Sequence, residues 1–482
     1  MKRYITLLLA LLMVMLPLAA CADKPDEGNN GGNVTGGSDT SGGTNEPGSD
    51  PSEVLEVPEN LNYGGTFEIL SPEAVPYNYY SVDFDEPSED PLANAIYLRN
   101  IAAEDYLGIE IHTTEAAHGE PLYKMFKTSV DAASGDFDAI FNSMQYSATA
   151  VGAGLCIPFE DLYYVNLDKA WWNDDCSEQL AIGGKHYMIS GDIAVSDKEC
   201  IWMVYFTKDL IEENGLENPY DLVENNQWTW DKMHEMAADA AFDANANDKL
   251  DKDGKDVWGV TTHNENWAAM WQAAGLKLIT LDSDGIPEIS WDSERFFDVY
   301  SDIVEFMSDT SCVSPDDDVF IKTAFPAGKT LFATEVVAHI RNYRENEYDF
   351  GVVPFPKYDT TTERYNSYVA VSSAVLSIGF DNNNLERTGA ILETMGAYGR
   401  KEITPVYYEE QIKSRFARDE QTADMLDIIF EYRSYDLGVF FNWGNAYSNL
   451  IGGKQNPSQL IASSRKSLTK DMQKALGSLG LF

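Results

Sequence analysis

Hydrophobic and polar positions alternate along the chain in a pattern that predicts strands separated by helices. At residues 66–70, Phe67 and Ile69 fall on one face with the period of a β-strand. A helix is predicted to begin after Asp90, which can cap free amides ahead of a proline, and to end at Gly108. The residues expected to form its buried stripe are Ala95, Leu98, Ala102 and Tyr106.

The same succession continues with a strand at 109–113, a helix at 120–133 and a buried strand at 137–141. Strands and helices that alternate with short links predict an α/β fold, in which helices cover both faces of a parallel sheet. The later elements of this kind are strands at 200–206 and 350–356, and helices that begin near Trp230, at 385–398 and at 421–432.

The start of the chain has the pattern of a secretory signal. Met1-Lys2-Arg3 precedes an apolar run at 4–18, whose length of about 15 residues is short for a membrane-spanning helix. Leu18-Ala19-Ala20-Cys21 resembles the lipobox of bacterial lipoproteins, which implies cleavage after residue 20 and a diacylglycerol on the sulfur of Cys21. The mature protein is then expected on the extracellular face of the cytoplasmic membrane, held by its lipid. Ordinary cleavage with an unmodified cysteine is the alternative.

Residues 21–64 are predicted to form a disordered tether. This stretch is rich in Gly, Asn, Ser, Thr, Asp and Glu, so that it buries too little apolar surface to order itself. The remaining chain is long enough for two domains.

Composition narrows the classes of partner. The formal net charge of the 482 residues is -45, which repels nucleic acid and anionic lipid surfaces. Hydrophobic residues at 44% and aromatic residues at 12% are enough for a packed core. Beyond Cys21, the cysteines are Cys156, Cys176, Cys200 and Cys312. In an exported chain they can form disulfides in three pairings or remain buried free thiols, and both possibilities are open.

Several separate segments, in order, resemble those of the extracellular solute-binding proteins (family 1) of sugar-type ABC importers. The segments are Gly183-Gly184-Lys185-His186-Tyr187, Val204-Tyr205-Phe206-Thr207-Lys208-Asp209-Leu210, Asn214-Gly215-Leu216, Trp228-Thr229-Trp230-Asp231, Asp253-Gly254-Lys255-Asp256-Val257-Trp258-Gly259, Gly328-Lys329-Thr330-Leu331-Phe332 and Phe350-Gly351-Val352-Val353-Pro354-Phe355-Pro356-Lys357. The resemblance covers about residues 65–453 and rests on their order and spacing.

The resemblance implies a type II periplasmic-binding-protein-like fold, with two lobes that are each a doubly wound, mostly parallel sheet. One lobe is predicted to comprise 65–202 plus 370–435, and the other 203–369 plus 436–482. The crossing segments are expected near 200–206, near 365–369 and near Tyr435. A monomeric, non-enzymatic receptor is implied, which binds a solute in the cleft and delivers it to an ABC permease.

Candidate ligand-binding residues follow from the chemistry of sugars, which combine apolar C–H faces with hydroxyl groups. Trp443 matches the position where the family places an aromatic platform, with core packing as its alternative role, and Asn442 beside it offers an amide. Trp443→Ala is expected to weaken binding at least tenfold with little loss of stability. Asn142 and Gln145 follow a strand end, where open α/β sheets bind ligands; the alternative is a turn held by its own amides.

The remaining candidates also carry aromatic or planar polar side chains. They are Trp172, Asp192, Trp202, Asn264, Glu265, Trp267, Trp271 and Arg341. Trp267 and Trp271 share one helix face, where core packing is the alternative. Arg341 lies just past Ala338, which stands in place of a tryptophan of the family, and an ion pair with a surface carboxylate is its alternative role.

Catalytic and metal motifs are incomplete. His234-Glu235 begins like the helix of a zinc protease, but Ala238 occupies the position of the second histidine. Gly328-Lys329-Thr330 ends like a phosphate-binding loop, but Thr323 occupies the position of its first glycine.

One acidic loop has oxygen ligands at alternate positions, which suit calcium. Its candidate ligands are Asp243, Asn245, Asn247, Asp251 and Asp253. Asp248 and Gly254 depart from the EF-hand pattern, so a solvated acidic turn is favoured and no other cofactor is expected.

Two function classes remain. The first is the transport receptor, and the second is a surface glycoside hydrolase or a polysaccharide-binding adhesin. A hydrolase needs two carboxyl groups about 5–10 Å apart across a glycosidic bond, and the sequence leaves such a pair possible.

Overall fold

Two five-stranded sheets form the framework of the computed structural model, which describes residues 50–73, 81–314, 318–343, 346, 348–414, 419–454 and 456–481. The predicted signal peptide, Cys21 and the tether at 21–49 lie outside the described residues. The strands are β1 Thr66–Pro72, β2 Glu110–Ala116, β3 Ala139–Ser143, β4 Cys156–Ile157, β5 Trp202–Thr207, β6 Trp258–Thr261, β7 Ile279–Leu281, β8 Pro287–Ile289, β9 Val313–Ser314, β10 Thr330–Val336, β11 Phe350–Pro354, β12 Ser367–Tyr368, β13 Ala374–Gly379 and β14 Arg433–Ser434.

The two large sheets share one topology. The first has the order β2-β1-β3-β13-β4, and the second has the order β11-β5-β10-β6-β9. In each sheet four strands run in one direction and one strand, β13 or β5, is antiparallel to both neighbours. Each antiparallel strand is the first strand that the chain forms in its sheet after it leaves the other sheet: β5 follows β4 of the first sheet, and β13 follows the strands of the second sheet. This arrangement confirms the two-lobed α/β fold with mostly parallel sheets.

Helices lie between the strands and after them. They are α1 Pro91–Leu107, α2 Glu120–Ala132, α3 Met144–Gly152, α4 Asp174–Leu180, α5 Ser196–Glu199, α6 Lys208–Asn214, α7 Pro219–Glu224, α8 Trp230–Ala240, α9 Asn266–Ala273, α10 Glu294–Ser308, α11 Asp318–Ala324, α12 Leu385–Pro405, α13 Glu420–Glu431, α14 Leu437–Phe441, α15 Ala446–Leu450 and α16 Pro457–Ser478. A π-helical segment, Val406–Ser414, follows α12. Within the described residues, none of the helices combines the length and apolar character needed to cross a membrane.

Helix α1 has the predicted ends but a different buried face. The side chain of Asp90 accepts a hydrogen bond from the amide of Ala93 at 2.9 Å, and Gly108 ends the helix at φ 63°. The predicted stripe is wrong at Leu98, which is 45% exposed, whereas Ala95 is buried and Ala102 and Tyr106 are half-buried. Arg99 is buried instead, and its guanidinium donates to the carbonyl oxygens of Ile193 and Val82 at 2.8 and 2.9 Å. These long-range hydrogen bonds fix the rotation of the helix.

The folded body begins before residue 65. Residues 50–64, predicted as the end of the tether, pack on the first sheet and its helices. Val57 is buried and its carbonyl accepts from the hydroxyl of Tyr106 at 2.6 Å, while the amide of Tyr63 donates to the carbonyl of Leu107 at 3.0 Å. Apolar residues in an otherwise polar stretch anchor this segment.

Helix α13 lies with the second sheet, although residues 370–435 were assigned to the first lobe. It packs on β11, and Oγ1 of Thr422 lies 2.7 Å from the hydroxyl of Tyr220 on α7. Its buried side chains, which include Met425 and Leu426, find their partners there. The other lobe boundaries stay a prediction.

Cys156, Cys176, Cys200 and Cys312 are all buried free thiols. The structure therefore corresponds to the alternative without disulfides among these four residues.

Candidate binding site between the two sheets

Three crossing segments lie side by side between the two large sheets. Ile201 forms an antiparallel bridge with Val369, and β12 pairs in parallel with β14. The amide of Val369 also donates to the carbonyl of Ser434 at 3.2 Å. These are the places where the sequence predicted the crossings.

A buried cluster of charges lies beside the crossings. One carboxylate oxygen of Asp197, on α5, accepts from Nη1 of Arg433 and from Nδ2 of Asn173, both at 3.0 Å. Nζ of Lys198 lies 3.4 Å from the other oxygen. Burial alone would raise the pKa of Asp197, but the two cations hold it below its ordinary value. The cluster therefore keeps a buried negative charge between two cations.

An open cavity of about 850 Å³ adjoins this cluster. One side is formed by the loop 170–175, Gly191, Asp192 and α12, which belong with the first sheet. The other side is formed by α13, which packs on the second sheet. The lining combines rings with charged groups: Trp171, Trp172, Tyr407, Tyr408, Phe430, Asp192, Lys198, Arg400, Asp427, Glu431 and Arg433.

Two predicted site residues, Trp172 and Asp192, line this cavity. The carboxylate of Asp192 pairs with Nζ of Lys198 at 3.1 Å and with Nη1 of Arg400 at 3.5 Å. The side chain of Arg400 is 39% exposed, so it can still reach a ligand. Tyr408 and Phe430 add partly exposed rings whose centroids are 5.6 Å apart. Rings and planar ionic groups around one cavity suit a ligand with C–H faces and hydroxyl groups.

Behind the cavity, Trp172 is fixed by Glu393 of α12. Nε1 of Trp172 donates to a carboxylate oxygen of Glu393 at 3.0 Å. Glu393 is buried, and burial raises its pKa to about 7.

Glu393→Gln is expected to change how stability depends on pH. The folded pKa lies above the unfolded value of 4.5, so the folded state binds the proton more tightly. This contribution to stability is complete below about pH 4.5 and is lost as the pH rises through about 7, at a cost of about 3 kcal/mol. The glutamine variant should unfold at a higher denaturant concentration than the wild type at about pH 8, and similarly at about pH 4.5. A variant whose stability falls with pH in parallel with the wild type would contradict this role of Glu393.

Asn142 and Gln145 lie at the carboxyl end of β3. The amide group of Asn142 is occupied: its Oδ1 accepts from the amide of Gly119 at 3.2 Å, and its Nδ2 donates to the carbonyl of Gly119 at 3.1 Å. These bonds join β3 to the start of α2, 23 residues earlier in the chain, and are not the local turn that was the alternative; ligand contact by Asn142 and Gln145 stays a prediction. Gln145 is half-buried. Nε2 of His118, which precedes Gly119, lies 3.1 Å from the carbonyl of Ser372 in the returning crossing.

Glu265 joins α9 to the second crossing. Its carboxylate accepts from the hydroxyl of Tyr368 at 2.7 Å and from the amide of Val371 at 3.1 Å, and burial raises its pKa. Trp202 stacks on Tyr368 with ring centroids 6.5 Å apart and is 2% exposed. Asn264 is half-buried beside Glu265. The structure thus brings Glu265 and Trp202 together at the crossing, as parts of its framework.

Trp267, Trp271 and Trp443 are all buried. The ring of Trp271 meets Tyr447 edge to face at 6.1 Å. Trp443 is 6% exposed and stacks on Phe441 at a centroid distance of 4.5 Å. These three tryptophans do not line the 850 Å³ cavity, and their contact with a ligand stays a prediction.

Asn442 and Arg341 are engaged in local structure. Asn442 adopts a left-handed conformation at φ 46°, and its side chain bonds to the amide and the hydroxyl of Ser448. Arg341, which follows β10, pairs with the fully buried carboxylate of Glu199 on α5. The sequence proposed a surface carboxylate, but the partner is a buried one at the crossing.

The predicted calcium loop is closed by its own hydrogen bonds. The carboxylate of Asp243 accepts from the amides of Asn245 and Asp248 at 3.1 and 2.8 Å. Asp251 pairs with Nζ of Lys249 at 2.8 Å, and Asp253 accepts from the amide of Lys255 at 3.0 Å. This geometry is that of the solvated acidic turn, and calcium binding stays an untested prediction.

The sequence missed Lys198, Arg400, Tyr408 and Arg433 as cavity residues. The cavity gathers them from segments more than 200 residues apart. The run Asp197-Lys198-Glu199, directly before an apolar strand, was the available signal, because charges next to a buried strand need partners.

A scan against family profiles and a search of curated proteins each find no match to this sequence. Solved structures with a similar fold are nevertheless found. A maltose/maltodextrin-binding domain, MalE, from Bdellovibrio bacteriovorus bound to maltotriose is 13% identical, with a TM-score of 0.54 over 85% of this chain and 100% of that one. The GacH receptor of Streptomyces glaucescens is 14% identical, with a TM-score of 0.54 over 86% and 99%.

A third similar structure is an ABC substrate-binding protein of Listeria monocytogenes in complex with cycloalternan. It is 12% identical, with a TM-score of 0.52 over 87% of this chain and 100% of that one. Together with the shared topology of the two sheets, these similarities show that the chain has the two-lobed fold of ABC solute-binding proteins.

Proposed function

We propose that this chain is the solute-binding lipoprotein of an ABC importer, which captures a small carbohydrate between its two lobes and delivers it to a membrane permease. The observation that carries the proposal is the 850 Å³ cavity, whose walls come from elements of both sheets and which adjoins the crossing segments. A cavity in this position can close around a ligand when the lobes rotate about the crossings.

The similar structures support carbohydrate as the ligand class, since maltotriose and cycloalternan are bound in two of them. The lipobox-like residues at Cys21 support anchoring on the extracellular face of the cytoplasmic membrane. The net charge of -45 opposes binding to nucleic acid. We propose a monomeric receptor that binds the sugar without a cofactor.

The paired carboxylates at and beside the cavity favour binding over glycoside hydrolysis. A hydrolase needs one carboxyl group that is protonated and can donate to the leaving group. Asp192 is paired with two cations, and Asp197 is held ionised by Lys198 and Arg433. Glu393 has a raised pKa, but its carboxylate faces the indole N–H of Trp172. These three carboxylates therefore suit the recognition of hydroxyl groups. Burial raises the pKa of Asp175 and of Asp427, which also line the cavity, so an assay for released reducing ends tests these two carboxyl groups as general acids.

Arg400→Ala tests the cavity as the ligand site. We expect at least one sugar from a panel of mono- and oligosaccharides to raise the melting temperature of the wild type. Arg400→Ala should lower the affinity for that sugar at least about tenfold, because the variant loses one charge-assisted hydrogen bond. Arg465→Ala is the matched control, because Arg465 pairs with Asp292 on the surface away from the cavity. Equal affinity in the Arg400 variant would remove this cavity from the site, and release of reducing ends during incubation would support the hydrolase.

A further inference from the structure

A histidine, an aspartate and a cysteine converge in the second lobe, away from the cavity described above. Nε2 of His234 lies 2.8 Å from Oδ2 of Asp309, and Sγ of Cys312 lies 3.5 Å from the same oxygen. All three ligand atoms lie within 4.8 Å of one another. His234 belongs to the incomplete zinc-protease motif of the sequence analysis, and Asp309 and Cys312 lie next to it in the folded chain.

The backbone holds each of the three residues in a fixed place. His234 lies on α8, with its ring 5.2 Å from that of Phe306 on α10. Asp309 ends α10, and its Oδ1 accepts from the amide of Ser311 at 3.1 Å, which leaves Oδ2 directed at His234 and Cys312. The carbonyl of Cys312 accepts from the amides of Gly259 and Val260 at 2.9 and 3.0 Å. The donor set is therefore preorganised.

The spacing suits a tetrahedral metal ion. Bonds of about 2.0–2.3 Å from Zn²⁺ to nitrogen, oxygen and sulfur place tetrahedral ligand atoms roughly 3.3–3.7 Å apart. The sulfur–oxygen distance already has this value, and the nitrogen–oxygen distance needs to widen by roughly half an ångström. Imidazole, thiolate and carboxylate together favour zinc or copper over calcium and magnesium.

A second observation also points to a cation. His234 lines a cavity of about 410 Å³, and four carboxylates line it too: Asp231, Asp302, Glu305 and Asp359. The side chains of His234 and Asp309 are 33% and 31% exposed, so an ion can reach these two donors from solvent, while Cys312 is buried beside them. The negative field of the cavity raises the local concentration of cations.

We propose that His234, Asp309 and Cys312 form a binding site for a transition metal ion, with Zn²⁺ as the preferred ion and water as the fourth ligand. The ion joins α8 to the end of α10 and to the start of β9. It stabilises the second lobe by linking α8 to the turn that contains Asp309 and Cys312, 75 residues after His234 in the chain. The site is independent of the sugar-binding proposal, and the failure of either leaves the other intact.

The test is metal binding by the mature chain after treatment with a chelator. Equilibrium dialysis should find one equivalent of Zn²⁺, and Co²⁺ in its place should give the near-ultraviolet absorption of a thiolate–cobalt bond. Cys312→Ser and His234→Ala should each lower the affinity by more than the roughly 10–100-fold that the loss of an outer-shell partner costs. His112→Ala is the control, because His112 is largely exposed and pairs with Glu68, far from the site in sequence.

Two results would overturn the proposal. One is a bound ion without the thiolate–cobalt band, which would place it elsewhere, for example at the acidic loop 243–256. The other is equal affinity in Cys312→Ser and the wild type. If a variant fails to fold, the cobalt spectrum of the wild type decides alone.

Discussion

Asp197→Asn is expected to lower the free energy of unfolding by about 3–5 kcal/mol. Asparagine has nearly the same shape, so the change removes the charge and leaves the packing. The side chain of Asp197 is 1% exposed, and that of Arg433 is 15% exposed at 3.0 Å from it. Without the carboxylate, the guanidinium of Arg433 stays buried beside the crossing segments without its main counter-charge.

Denaturant unfolding of the variant and the wild type measures this effect. Asp292→Asn is the matched control, because its partner Arg465 is 53% exposed; breaking that surface pair should cost no more than about 1 kcal/mol. The pKa of Asp197 is lowered in the folded state, so its contribution is present above the unfolded value of 3.8 and is lost as the pH falls through the folded value. A loss no larger than that of the control would show that the cluster does not stabilise the crossing.

Trp443→Ala is expected to cost about 3–5 kcal/mol of stability, as large-to-small changes of buried aromatic residues do. The sequence led us to expect little loss, because Trp443 was assigned to a ligand platform. The structure corrects the stability part of that expectation: the ring is 6% exposed, and it stacks on Phe441. Next to it, Gly444 lies against Leu468 of α16, so the cavity left by the ring opens inside the packed end of the chain.

Thermal and denaturant unfolding check this prediction, with Tyr163→Ala as the control. Tyr163 is 78% exposed, and its truncation should change stability by no more than about 0.5 kcal/mol. The sugar affinities of the wild type and of Trp443→Ala are then measured at a temperature at which both proteins are folded. A Trp443→Ala protein as stable as the control would contradict the packing described here.

The sequence predicted well those features that depend on neighbouring residues. Asp90 and Gly108 mark the ends of α1, and Thr229 caps α8 by accepting from the amide of Lys232 at 3.3 Å. The order of strands and helices is likewise local, and it was enough for the fold class. The rotation of α1 was not predictable, because the bonds of Arg99 reach residues that are distant in the chain.

In the candidate site, too, the sequence predicted single residues but not their partners from distant parts of the chain. Trp172 and Asp192 were predicted and line the cavity, but their partners Arg400 and Glu393 come from α12, some 200 residues later. Tryptophans contribute large buried areas in cores as well as in sugar sites, so the residue type alone did not distinguish Trp271 from Trp172. The structure distinguishes them, because Trp172 lines the cavity and Trp271 does not.

Isothermal titration calorimetry of the mature protein with a panel of di- to hexasaccharides tests the central claim most directly, because one experiment detects both binding and turnover. Reversible capture between the lobes predicts a saturable isotherm with one site per chain for at least one sugar, with each heat pulse returning to the baseline. Heat that continues after each injection, or no heat with any sugar of the panel, would contradict it.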